Sequence, residues 1–141
     1  MSSAGGEAAV RSWSVDAFIA FWADPDPARL PAVRAILTDD IIGYWPRPIG
    51  IVRGASAYFN VIEAVVTGSP RFALAVAEHA TSGEFTFIRW IATVADGAGV
   101  VQFDGCDRVR TRDGLVCENY VFCDHPYFEK VADRLSSVPG L

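Results

Sequence analysis

The chain has 141 residues, 51% of them hydrophobic and 21% charged, with a formal net charge of -5. So apolar a composition excludes intrinsic disorder, and the length suits one domain able to bury a sizeable core. The acidic balance, with no Lys/Arg run to offset it, argues against a nucleic-acid partner.

Residues 1–12, MSSAGGEAAVRS, are small and aperiodic and read as a loose tail, with a single domain expected over 13–138. Ser14 is suited to cap a helix on which Val15, Phe18, Ile19 and Trp22 recur at i, i+3, i+4 and i+7, and ADPDP stops it. The apolar run AFIAFWA inside this helix is too short to cross a membrane, and Arg11 is the lone cation before it, which suits no signal peptide. A soluble, cytoplasmic protein without membrane contact is expected.

A second helix runs to about Leu37 with Val33, Ile36 and Leu37 inward; Pro27 and Pro31 both suit its first turn and compete for it. IIGYWP then reads as a short strand closed by Pro46, and PRPIGIVRG as a long loop. Tyr58, Val61, Ile62 and Val65 mark a third helix, which Gly68 and Pro70 end. Four β-rich runs follow at about 71–80, 84–96, 100–111 and 115–123, separated by TSG, GAG and RDG, and form an antiparallel meander. A last helix is expected from Pro126 to about Ser136. The order ααβαββββα describes an α+β domain with helices on one side of a curved sheet.

The turns set the strand registers, and a slip of one residue exchanges the two faces. With RDG as a three-residue loop, Arg108 faces Glu118 and Asp107 faces Asn119; a two-residue Asp113-Gly114 turn would pair Arg108 with Asn119 instead. The first register is preferred because it forms a cross-strand ion pair. With GAG also as a three-residue loop, Asp96 pairs with Val100 and Arg89 faces Asp107. Arg89, Asp107 and Asn119 then form a polar row among Phe85, Phe87, Ile91, Phe103, Val109, Cys117, Val121 and Cys123. A carboxylate buried there requires a partner or water, and Arg89 is the partner this register supplies.

The three cysteines, Cys106, Cys117 and Cys123, are odd in number and lack a framework spacing, so they are read as reduced. His79 faces inward or outward according to the length of the TSG turn. His125 lies at a strand-to-helix junction and reads as a cap. The histidines and carboxylates match no metal motif, and neither a metal nor another cofactor is expected. Arg108, Arg110 and Arg112 alternate on the outer face. Tyr120, Phe122 and Trp90 share the parity opposite to the polar row, which predicts an exposed apolar patch and a homodimer through the outer face of the sheet.

On the element order, LTDDIIGYWP followed by Gly54 and a helix, FIRWIATV, and GCDRVRTRDGLVCENYVFCD, the chain resembles the SnoaL-like branch of the NTF2-like, cystatin-like superfamily over about residues 14–136. The resemblance implies a cone in which helices on the concave face of the sheet enclose an apolar pocket. Polyketide cyclases, ketosteroid isomerases, epoxide hydrolases and non-catalytic proteins all use such a pocket. Asp107 matches the position that resembles the oxyanion-binding aspartate of ketosteroid isomerases. The isomerase base position is similar to Trp45 and its oxyanion tyrosine to Phe18, so that site is incomplete. Arg89 resembles the arginine of the limonene-epoxide hydrolase site, where the expected aspartates fall at Ile91 and near Val121.

Two readings follow. In one, a small hydrophobic molecule is processed without cofactor by Asp107 as base or oxygen anchor with Arg89, against a wall of Asn119, Trp45, Tyr58, Trp22, Phe18, Ile91, Phe103, Val121 and His79. In the other, the domain binds a ligand or dimerises without catalysis, and Arg89 with Asp107 is a structural ion pair.

Overall fold

A computed structural model describes residues 12–69, 71–97 and 99–137; the expected tail over 1–12 lies, all but Ser12, outside the described residues. Helix α1 (Val15–Ala23) begins as expected, with Ser14 Oγ accepting the Ala17 N–H at 3.1 Å and Asp16 in the first turn, where an acid favours the helix dipole. Both prolines find a place, because the segment divides. A 3-10 turn (Pro27–Arg29) starts on Pro27, and α2 (Leu30–Ala35) carries Pro31 in its own first turn.

Leu37 is not the end of a helix but the first residue of β1 (Leu37–Trp45), and the expected long loop contains a short strand, β2 (Gly50–Arg53). Next come α3 (Ala55–Thr67), β3 (Ala73–Ser82), β4 (Phe85–Asp96), β5 (Gly99–Arg112), β6 (Leu115–Phe122) and α4 (Tyr127–Ser137). The strands form one sheet in the order β2-β1-β6-β5-β4-β3. It is mixed rather than purely antiparallel, because β1 runs parallel to β6. No helix among the described residues is long and apolar enough to cross a membrane.

Helices α3 and α4 are locked together where Tyr127 Oη donates at 2.7 Å to the Val65 carbonyl, which also accepts the Gly68 N–H at the end of α3. Gly68 makes this possible: a Cβ there would lie 2.7 Å from that hydroxyl. The core lies between these helices and the sheet, with Ile41, Ile88, Val61 and Val131 the largest fully enclosed side chains.

The strand registers differ from the expected ones in an instructive way. Asp113 (φ 55°) and Gly114 (φ 81°) make a two-residue turn with Arg112 opposite Leu115, since a tight hairpin requires positive φ at both positions. A bulge at Cys117 then adds a second single-residue shift, so Asp107 pairs with Val121 and Val109 with Asn119. Two shifts of one restore the original parity, and Asp107, Val109, Asn119 and Val121 still share the inner face. The expected ion pair also forms, on the diagonal: Arg108 Nη2 lies 2.9 Å from Glu118 Oε2.

At the β4–β5 turn no bulge compensates. Asp96 pairs with Gly99 rather than Val100, Ile88 stands opposite Asp107, and every β4 side chain is on the face opposite to the expected one.

Candidate functional site

That slip removes Arg89 from Asp107. Arg89 sits opposite Cys106 on the outer face, where its guanidinium pairs with Glu78 at 3.2 Å and Asp104 at 3.6 Å. With its side chain 43% exposed, it is part of a solvated surface network and no partner for a buried carboxylate. Arg89→Ala should therefore change stability by less than about 1 kcal/mol, which a urea melt checks directly. Ile91, Phe85 and Phe87 go outward with it. His79 is exposed on β3 beyond the cavity. Phe103 faces inward but packs at 4.0 Å against the ring of His125 and does not line the cavity. His125 caps α4, its Nδ1 accepting the Tyr127 N–H at 3.1 Å.

In place of Arg89 the slip brings in Trp90, expected on the surface and in fact 2% exposed. Its indole Nε1 donates to Asp107 Oδ1 at 2.9 Å, and Asn119 Nδ2 donates to Oδ2 at 3.1 Å. Asn119 Nδ2 also reaches Tyr58 Oη at 2.9 Å, giving a buried chain Trp90–Asp107–Asn119–Tyr58 across β4, β5, β6 and α3. Trp90 can lie flat over β5 because its opposite residue is Gly105, where a Cβ would come within 2.5 Å of the indole ring. That pairing of the largest side chain with the absent one was the available signal in GCD and IRW for the shorter turn. Gly43 does the same for Trp45 and Tyr58, both within 2.7 Å of where its Cβ would be.

The chain of polar groups opens on a cavity of about 340 Å³ between the helices and the sheet. Phe18, Trp22, Trp45, Tyr58, Asn119 and Val121 line it, together with Asp107 and Trp90. The rest of the wall is overwhelmingly aliphatic and aromatic.

Burial pushes the Asp107 carboxyl up to about 6, against the pull of the Trp90 and Asn119 N–H groups, which favour the ionised form. Burial, and then the neighbouring Asp107 charge, push the Tyr58 phenol up, so its hydroxyl keeps its proton. Its oxygen accepts from Asn119, which leaves the O–H itself as a donor. The thiols of Cys106, Cys117 and Cys123 are all pushed up by burial, which disfavours a thiolate nucleophile. Among the described residues no three His, Cys, Asp or Glu side chains gather into a metal-binding cluster.

The profile of the SnoaL-like domain matches residues 15–119, from the first helix to the asparagine of this network. The chain belongs to the SnoaL-like domain family. This SnoaL-like domain is similar in fold to a steroid delta-isomerase from Pseudomonas aeruginosa, at 20% identity over 92% of each chain with a TM-score of 0.68. It is also similar to an LEH-like epoxide hydrolase from M. tuberculosis, at 19% identity over 93% of this chain and 96% of that one, with a TM-score of 0.63. A protein of unknown function with a cystatin-like fold from Xanthomonas campestris aligns with a TM-score of 0.67, at 18% identity, over 83% of this chain and 93% of its own. No curated protein is similar enough to the chain to count as a match.

Proposed function

We propose that this SnoaL-like domain binds a small apolar molecule in the cavity and exchanges a proton with it through Asp107. The observation that carries the reading is a lone carboxylate held by two N–H donors in a largely apolar wall. With its carboxyl pushed up to about 6, it can both take and return a proton near neutral pH. Each carboxylate oxygen spends one lone pair on Trp90 or Asn119 and keeps another. Tyr58 supplies a second polar contact, a hydroxyl able to donate to a ligand oxygen.

The structural likeness to a steroid isomerase and an epoxide hydrolase supports the class of ligand, a compact hydrophobic skeleton with an oxygen function, and no particular mechanism. Asp107 is the one carboxylate among the described cavity residues, so a two-carboxylate route has no second member here. Binding comes from burying the ligand's apolar surface, and chemistry from one acid/base group beside a phenol. The test is mass spectrometry of the protein purified without denaturant. An extractable hydrophobic compound that is altered on incubation with the natural protein and unaltered with Asp107→Asn supports the reading; a compound left unaltered by both reduces the domain to a binding protein.

We also propose a homodimer through the outer face of the sheet. Trp90 is lost from the expected patch, but Tyr44, Tyr120 and Phe122 stack in a continuous row with centroid spacings of 4.9 and 4.4 Å. Around it Arg108, Arg110 and Arg112 are each neutralised within the chain, by Glu118, Glu84 and Asp40, so two copies can meet there without like-charge repulsion. Sedimentation at micromolar concentration should show a dimer that Tyr120→Lys dissociates; a monomer throughout contradicts it.

A further inference from the structure

The described cavity wall contains one cation as well as one anion. Arg29 ends the 3-10 turn Pro27–Arg29, is exposed to solvent, and lines the cavity along with Ala32 and Val33 of the next turn. Asp107 is buried on the floor, in β5. Among the described residues Arg29 is in no ion pair. The acid three residues before it, Asp26, uses its Oδ1 to cap the turn through the Ala28 N–H at 3.0 Å. Arg89, Arg108, Arg110 and Arg112 on the sheet are paired; Arg34, Arg47, Arg53 and Arg71 are, like Arg29, in no ion pair among the described residues, but none of them lines the cavity.

From this arrangement we infer that the ligand is an apolar carboxylic acid, its carboxylate on the Arg29 guanidinium at the mouth and its hydrocarbon body along the wall toward Asp107. The inference rests on the cavity reading above and gives it a direction. The opposite orientation is disfavoured, since two carboxylates could share the cavity floor only with one of them protonated. The planar guanidinium fork matches a carboxylate with two parallel N–H donors. The net charge of -5 repels anions at long range, but at physiological salt that field decays over about 8 Å, and the local contact governs. The reacting part of the ligand is then the end remote from its carboxylate, which is the end that meets Asp107 and Tyr58.

An exposed ion pair is modest, so Arg29 sets selectivity and orientation while the apolar wall supplies most of the affinity. The protein reports on its own cavity, because all four tryptophans, Trp13, Trp22, Trp45 and Trp90, line it. Decanoate and decan-1-ol, with the same chain and different heads, should both change tryptophan fluorescence saturably. Arg29→Gln should weaken decanoate about fivefold and leave decan-1-ol unchanged. Raising NaCl from about 50 mM to about 500 mM should likewise weaken decanoate alone. Decanoate binding equally well to the natural protein and Arg29→Gln, with decan-1-ol also bound, overturns the acid inference and leaves the cavity reading standing. Failure of both probes to bind overturns the two together.

Discussion

Asp107→Asn is expected to fold, to be more stable than the natural protein at pH 8 by about 1–3 kcal/mol, and to lose proton-transfer activity. The sign follows from linkage. The folded carboxyl titrates at about 6, above its value of 3.8 in an unfolded chain, so the folded state binds the proton more tightly. Whatever this group contributes is fully favourable below pH 4, declines as the pH rises toward 6, and above that is a penalty of about 3 kcal/mol for burying a charge. An amide carries no such penalty. It also fits, because Asn119 Oδ1 is buried without a partner and, after rotation of the Asn119 amide, can accept the new N–H while Trp90 still donates to the new carbonyl. Urea melts from pH 4 to pH 8 should therefore give a stability difference between the two proteins that grows with pH. Exposed acids such as Asp40, held low by Arg112, titrate alike in both and cancel from the difference. A variant that unfolds at every pH would make Asp107 a structural keystone.

Gly105→Ala should destabilise by about 2–3 kcal/mol and disturb the site at the same time. The added methyl would lie 2.5 Å from the Trp90 ring on one side and 2.7 Å from the Phe122 backbone carbonyl on the other. A backbone atom cannot rotate away, so the indole must move and its N–H leaves Asp107 Oδ1. The lost donor is one that favours the ionised carboxylate, so the midpoint of Asp107 should rise further. Gly99→Ala, also on β5 but with nothing within 4 Å of its would-be Cβ, is the control and should cost less than about 0.5 kcal/mol. Equal losses in the two variants would mean that the Trp90–Gly105 contact does not hold the site together.

Why the sequence revealed the fold and half the site follows from where its signals are local. Helix periods such as Tyr58, Val61, Ile62 and Val65, the Ser14 cap and the alternation in the meander depend on neighbouring residues, and all were legible. β2 was missed because Gly50–Arg53 is too short to show alternation and is a strand by virtue of pairing with Tyr44 and Trp45. The parallel β1–β6 contact leaves no turn between its strands to announce it. Register was the hardest quantity, since a β-turn of two residues and one of three look alike in GAG and RDG. On β6 the error was harmless, because the Cys117 bulge returned Asp107 and Asn119 to one face. On β4 it exchanged Arg89 for Trp90 and turned an expected salt bridge into an uncharged donor. The carboxylate itself was legible from the start; the nature of its partner, on which its protonation depends, was not.

Asp107 is a buried acid poised near neutral pH, and its titration can be followed directly. The ¹³C shift of the Asp107 carboxyl, followed across the pH range in the natural protein and assigned by its loss in Asp107→Asn, should show a midpoint near 6. Trp90→Phe, which removes one stabilising N–H, should move the midpoint higher. A midpoint at or below the ordinary aspartate value of about 4 would instead make Asp107 a solvated carboxylate, unable to exchange protons at neutral pH.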